Sequence, residues 1–195
     1  MADSYDSRTA LVVVDVQNDF ADPSGSLFVT GGDAVVGVVN AEIEAARAAD
    51  AFVVYTQDWH PPETPHFVTD GGTWPVHCVR DTWGAELHPD LTVVGPTVRK
   101  GTGGEDGYSG FSMQDPATGE VSPTGLHQLL QEHDATKVVV VGLALDVCVK
   151  ATALDAVELG YDTTIVAGAS APVDIEPGDG ERAVADMQTA GVTVA

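Results

Sequence analysis

Two segments of this chain are too apolar to be half-exposed: Ala10-Leu-Val-Val-Val-Asp15-Val and Lys137-Val-Val-Val-Val-Gly142. A strand with one face in water alternates apolar and polar side chains. An unbroken aliphatic run needs cover on both faces. A parallel sheet with helices on either side supplies that cover. Apolar residues do recur at helical spacing over residues 33–49 and 147–159. Strands alternating with helices imply right-handed crossovers and an α/β fold.

The pattern predicts strands at 10–16, 52–57, 97–100, 138–141, 163–167 and 192–194, and helices at 33–49, 125–132, 147–159 and 181–190. Asp33 is the expected N-cap of the first helix, and Ser122-Pro123 the expected entry to the second. Residues 58–96 are irregular and rich in Pro, Gly, His and Trp, which is long for a passive connection. Trp59, Trp74 and Trp83 argue that this stretch is packed.

A length of 195 residues suits one domain, 1–195. The formal net charge of −22 argues against nucleic-acid and anionic-membrane partners, which call for basic surfaces. It fits a self-repelling, highly soluble surface or adaptation to high salt. No apolar run is long enough to span a bilayer, and residues 1–8 lack the pattern of a secretory signal. Cys78 and Cys148 do not form a disulfide framework, so a reduced, cytoplasmic setting is expected.

Polar residues placed at strand ends carry the chemical signal. Asp15, Lys100 and Cys148 each lie at or just past the end of an expected strand. In a parallel sheet those ends share one edge, where sites of open α/β sheets gather. Cys148 also opens a helix, a position that favours the thiolate. A carboxylate can take a thiol's proton and an ammonium can steady the charge that results. The second cluster is Asp58-Trp59-His60 with His66 and His77, three of the six histidines in one stretch. Asp and His together suit Zn, Fe(II), Mn or Co. Cys78 follows His77 without a second cysteine nearby, so a thiolate metal site is weakly signalled. Phe20, Trp74, Tyr108 and Phe111 are of a type more often found in cores than in pocket walls, but their place in loops near both clusters moves them toward pocket lining.

Taken together, Val14-Asp15-Val16-Gln17-Asn18-Asp19-Phe20, Asp58-Trp59-His60 with His66, Trp74-Pro75-Val76-His77-Cys78, Lys100-Gly101 with Tyr108-Ser109-Gly110-Phe111, and Gly142-Leu-Ala-Leu-Asp146-Val-Cys148-Val149 run in one order over nearly the whole chain. In this the chain resembles the nicotinamidase branch of the isochorismatase-like cysteine hydrolases. The resemblance implies a three-layer, Rossmann-like α/β/α fold with a six-stranded, mostly parallel sheet. It implies a Cys148–Asp15–Lys100 triad and an oxyanion hole at the amides of Ala144 and Cys148, with a cis Leu143–Ala144 peptide. One divalent metal ion (Zn, Fe or Mn) would sit on Asp58, His60, His77 and His66, with Phe20, Trp74 and Tyr108 around the substrate. The activity implied is hydrolysis of nicotinamide, and by extension pyrazinamide, through a cysteine thioester in NAD salvage. The partner is then a small aromatic carboxamide, and a homo-oligomer is left open. Leu145 stands where many relatives carry threonine, and the loop 101–107 is more acidic than expected.

Two other readings compete. One is an amidohydrolase of the same superfamily acting on an N-carbamoyl or ureido compound such as ureidoacrylate. The other is a binding module on a hydrolase scaffold, which the presence of all three triad residues disfavours.

Overall fold

A computed structural model describes residues 5–195. Its elements are β1 (Thr9–Val14), α1 (Asn18–Ala21), α2 (Gly32–Ala48), β2 (Phe52–Asp58), β3 (Thr97–Lys100), β4 (Ser112–Gln114), β5 (Val121–Pro123), α3 (Leu126–Glu132), β6 (Lys137–Leu143), α4 (Lys150–Glu158), β7 (Asp162–Ala171), α5 (Asp179–Thr189) and β8 (Thr193–Val194). Six strands form one sheet in the order β3-β2-β1-β6-β7-β8, and every pairing in it is parallel. The chain winds outward from β1 through β2 to β3, then restarts at β6 and winds the other way. The order therefore reverses between β1 and β6, which is where a crevice opens at the carboxyl edge of such a sheet.

The valine runs are central because both faces of the sheet are covered. All six residues of β1 are buried. Leu11, Val13, Val53, Tyr55, Val139 and Val141 pack in one core with Val36, Val39 and Ile43 of α2. Ala10, Val12, Val14, Val138 and Val140 pack on the opposite side with Leu126, Leu130, Ala153, Ala156, Ala183 and Met187 of the remaining helices. Adjacent residues go to opposite cores, as the two-residue period of a strand requires. Gly142 lets β6 close on β1. A Cβ built there would lie 2.1 Å from the Val14 carbonyl oxygen, and its φ of +113° is open to glycine.

Several local expectations are corrected. The N-cap of α2 is Gly31 in the left-handed conformation, two residues before Asp33, which sits inside the first turn, at the positive helix end. Ser122 and Pro123 do not lead into a helix. They belong to β5, which pairs antiparallel with β4 in a two-stranded hairpin. Proline is tolerated on such an edge because its missing N–H costs no ladder bond. The helix after β6 starts earlier than expected, as a π-helical turn over Leu145–Val149 that runs into α4. β7 extends past residue 167 to Ala171, resuming contact with β6 at Gly142 and Leu143 after a bulge. Among the described residues, no helix is long and apolar enough to cross a membrane.

Candidate active site

Three strand ends deliver the polar residues to one place. β1 stops at Val14, and Asp15 turns away with φ +49°, a left-handed conformation that aspartate tolerates better than most residues. Its carboxyl is completely buried. The Thr56 hydroxyl of β2 donates to Asp15 Oδ1 at 2.6 Å. Lys100 closes β3, directly across from Asp58 at the end of β2 in the parallel register. That register sets the ammonium Nζ 2.5 Å from Asp58 Oδ1 and 2.7 Å from Asp15 Oδ2. Lys100 also donates to the Gly107 carbonyl and lies 3.7 Å from Cys148 Sγ. The side chain is fully buried, unlike an ordinary lysine. Cys148 comes from the π-helical turn after β6, beside the cis Leu143–Ala144 peptide.

The electrostatics follow from burying two carboxylates with one ammonium. Burial opposes the Lys100 charge, but Asp15 and Asp58 overcome it and hold the amine firmly protonated. Burial pushes the Asp15 carboxyl up to about 6, with Lys100 pulling against it. Burial also pushes the Cys148 thiol well above its usual range, with Asp15 and Asp58 adding to the effect against Lys100. The helix-start argument for a free thiolate is thus outweighed: the resting group is the thiol, and Asp15 is a base close to it. An oxygen each of Asp15 and Asp58 and the Cys148 sulfur all lie within 4.8 Å of one another.

The histidines gather on the other side of Asp58. One ring nitrogen each of His60, His66 and His77 lies within 4.8 Å of the others, and all three side chains are buried. Asp58 Oδ2 lies 3.9 Å from Nε2 of both His60 and His77. Burial holds His60 down to about 4 and lowers His77 too, so both rings are neutral and able to donate lone pairs at neutral pH. Among the described residues, neither ring nitrogen of His60 has a hydrogen-bond partner. His77 Nδ1 meets the Pro75 carbonyl at 2.7 Å and His66 Nδ1 meets Asp106 Oδ1 at 2.6 Å, which leaves Nε2 of each for another partner. Converging neutral imidazoles with a carboxylate fit a divalent cation. Nearby, Asp15, Asp58 and Lys100 sum to one uncompensated negative charge, which a cation would offset.

Phe20, Leu27, Trp74, Tyr108, Val147 and Val173 wall a cavity that Cys148, Ala144, Asp58, His66 and His77 also line. Trp74 Nε1 donates to the Tyr108 hydroxyl at 2.9 Å, which joins two loops across its mouth. Phe111 is not part of the wall. It is buried in the core and stacks near Tyr161, with ring centroids 6.0 Å apart. Cys78 is also remote from any ligand role: its N–H is held by Asp19 Oδ2 at 2.7 Å and its sulfur is fully buried.

Sequence reasoning assigned no role to three supporting residues. Thr56 orients Asp15, and its signal is a polar residue two before Asp58, near the end of a buried strand. Gln17 clamps the Asp58 backbone, accepting from its N–H at 2.9 Å and donating to its carbonyl at 2.8 Å. Asp106 holds His66, and only the acidity of the loop hinted at it.

Comparison with known proteins agrees with this geometry. The family model "Isochorismatase domain" matches residues 9–195. The chain is 38% identical to the nicotinamidase/pyrazinamidase of Mycobacterium tuberculosis, with 94% of this chain and 96% of that one covered. The crystal structure of the pyrazinamidase of Pyrococcus horikoshii in complex with zinc superposes with a TM-score of 0.86 at 35% identity, covering 96% and 98% of the two chains. The structure of PnC1 from L. infantum in complex with nicotinate gives a TM-score of 0.90 at 35% identity, covering 100% and 96%. On the matched domain, the six-stranded sheet and these relatives, the chain belongs to the isochorismatase-like hydrolase family, in its nicotinamidase/pyrazinamidase group.

Proposed function

We propose that the protein is a metal-dependent nicotinamidase that also accepts pyrazinamide, acting through a Cys148 thioester in NAD salvage. The observation that carries this reading is that Cys148 and two of the clustered histidines line one apolar, aromatic-walled cavity. A nucleophile and neutral imidazoles lining one aromatic-walled cavity suit a flat ring that carries both a carboxamide and a ring nitrogen. The relative from L. infantum was crystallised with nicotinate, the carboxylate such a reaction releases.

His60, His66, His77 and Asp58 would hold the metal. Bound there, a divalent cation supplies positive charge beside Asp58 and a Lewis-acidic point for a pyridine-type nitrogen. The covalent work falls to the chain's own residues. Asp15 takes the proton of Cys148 as the sulfur attacks the carboxamide carbon, so a C–S bond forms while the C=O π pair moves onto oxygen. The backbone N–H groups of Ala144 and Cys148 are assigned to receive that oxyanion, a large contribution when donors are preorganised. The pair then returns, the C–N bond breaks, and Asp15 gives its proton to the leaving nitrogen to release ammonia. Water next attacks the thioester and Asp15 accepts its proton. The acid departs and the thiol is restored from Asp15. Lys100 stays protonated throughout and stabilises the anionic states of Asp15 and Cys148. Phe20 and Trp74 hold the ring, with Tyr108 fixing Trp74.

Among the described residues no lysine or arginine lines the cavity, and the ammonium behind it is fully engaged. N-carbamoyl amino acids and ureidoacrylate have no aromatic ring, so the Phe20 and Trp74 walls give them less contact than they give a flat heteroaromatic carboxamide. A panel of nicotinamide, pyrazinamide, an N-carbamoyl amino acid and ureidoacrylate tests the assignment by ammonia release. Turnover confined to the two aromatic carboxamides is expected. Preference for a carboxylate-bearing substrate would overturn it.

A further inference from the structure

The loop 101–107 touches nearly every part of the site. Gly101 packs under the His60 ring, where an added Cβ would sit 2.6 Å from Nδ1. The Gly107 carbonyl accepts from Lys100, and the Gly104 carbonyl accepts from the Thr64 hydroxyl at 2.8 Å. The remaining contact, Asp106 to His66, has no part in the reaction as written above.

The three clustered histidines differ in what stands behind them. His60 Nδ1 has no hydrogen-bond partner among the described residues. His77 Nδ1 faces a neutral backbone carbonyl. His66 Nδ1 alone faces a carboxylate, at 2.6 Å. Asp106 is fixed independently of that contact. Its N–H donates to the Gln114 carbonyl at 2.8 Å and its carbonyl accepts from the Gln114 N–H at 2.9 Å, which pins the loop to β4. The carboxylate is thus presented by a backbone bridge, not by the histidine it meets.

We infer that Asp106 is a positioning residue for the metal centre: it fixes His66 as the Nδ1–H tautomer with Nε2 aimed at the cation. The inference rests on the metal-site reading proposed above. A carboxylate behind a ligating imidazole orients the ring and raises its basicity, and losing one typically costs 10–100-fold in metal affinity or activity. Because the β4 bridge uses only main-chain atoms, substitution of the Asp106 side chain leaves the loop anchored.

The test is Zn²⁺ affinity by chelator competition on the full-length protein, for wild type, Asp106→Asn, Asp106→Ala and His66→Ala. Nitrogen-detected NMR of the imidazoles and the melting temperature of each metal-free protein accompany it. Expected is a loss of about 10–100-fold for Asp106→Ala, a smaller loss for Asp106→Asn, and disappearance of the single Nδ1–H tautomer at His66. The metal-free melting temperature should stay near that of wild type, which a merely structural role would not allow. Weakened binding in His66→Ala with wild-type affinity and tautomer in both Asp106 variants would overturn the inference alone. So would affinity lost only in step with a lowered metal-free melting temperature. Wild-type protein that binds no metal, or binds equally well without His66, would overturn the metal-site reading and this inference with it.

Discussion

Lys100 Nζ lies 2.5 Å from Asp58 Oδ1 and so joins the triad to the histidine cluster. The parallel register of β2 and β3 makes the two residues neighbours. The same ammonium reaches Asp15 and Cys148. One buried cation therefore balances a carboxylate assigned to proton transfer and a carboxylate assigned to the metal. The account makes these two centres electrostatically dependent on each other.

Removing that cation should be costly. Lys100→Met leaves two buried carboxylates facing each other, and breaking a buried pair by deleting one partner costs about 3–5 kcal/mol. Urea denaturation of the metal-free variant should show a loss of that size. A change below about 1 kcal/mol would mean that water reaches the carboxylates and that the pairing is weaker than the geometry implies.

Cys148 and Cys78 should differ in reactivity. Burial pushes both thiols up. Cys148 lines the cavity beside Asp15 and Lys100, whereas Cys78 is sealed and, among the described residues, has no base against it, so access and the neighbouring carboxylate separate them. Iodoacetamide at neutral pH, read by peptide mass spectrometry, should modify Cys148 well before Cys78. Nicotinate should slow the reaction at Cys148 only. Equal, slow labelling of both would count against an activated nucleophile.

The pH profile has a fixed sign. Burial raises Asp15 to about 6, so below that pH it is protonated and cannot accept the Cys148 proton. The value of kcat/KM should fall as pH drops through this range. Positive charge from a bound metal moves the limb lower, not higher. A limb centred above pH 7 would contradict Asp15 as the base.

Gly142 tests the crevice between β1 and β6. Alanine there meets the Val14 carbonyl and a backbone φ of +113°. Gly142→Ala should destabilise the fold by more than about 1 kcal/mol. A melting temperature unchanged from wild type would mean that β6 yields at this point.

The sheet was readable because burial on two faces leaves an unmistakable aliphatic run, and the strand ends then located Asp15, Lys100 and Cys148. The histidine stretch was readable because few other histidines compete. What escaped depended on contacts distant in sequence. Thr56 and Gln17 act through neighbours 41 residues away in the chain, and Asp106 meets His66 across 40. Phe111 looked like pocket wall by its position in a loop, but packing against Tyr161 decides its place. Ser122-Pro123 looked like a helix entry because proline starts helices and edge strands alike. A helix start favours the thiolate of Cys148, but burial beside two carboxylates opposes it more strongly.

Cys148 is assigned to the hydrolysis of a pyridine carboxamide in a metal-dependent site. Ammonia release from nicotinamide tests it most directly, measured for metal-replete wild type, Cys148→Ala and a chelator-treated sample. Turnover is expected in the first, loss in both others, and recovery of the chelated sample on adding back a divalent metal. Metal-replete wild type that releases no ammonia, or Cys148→Ala that still does, would contradict it.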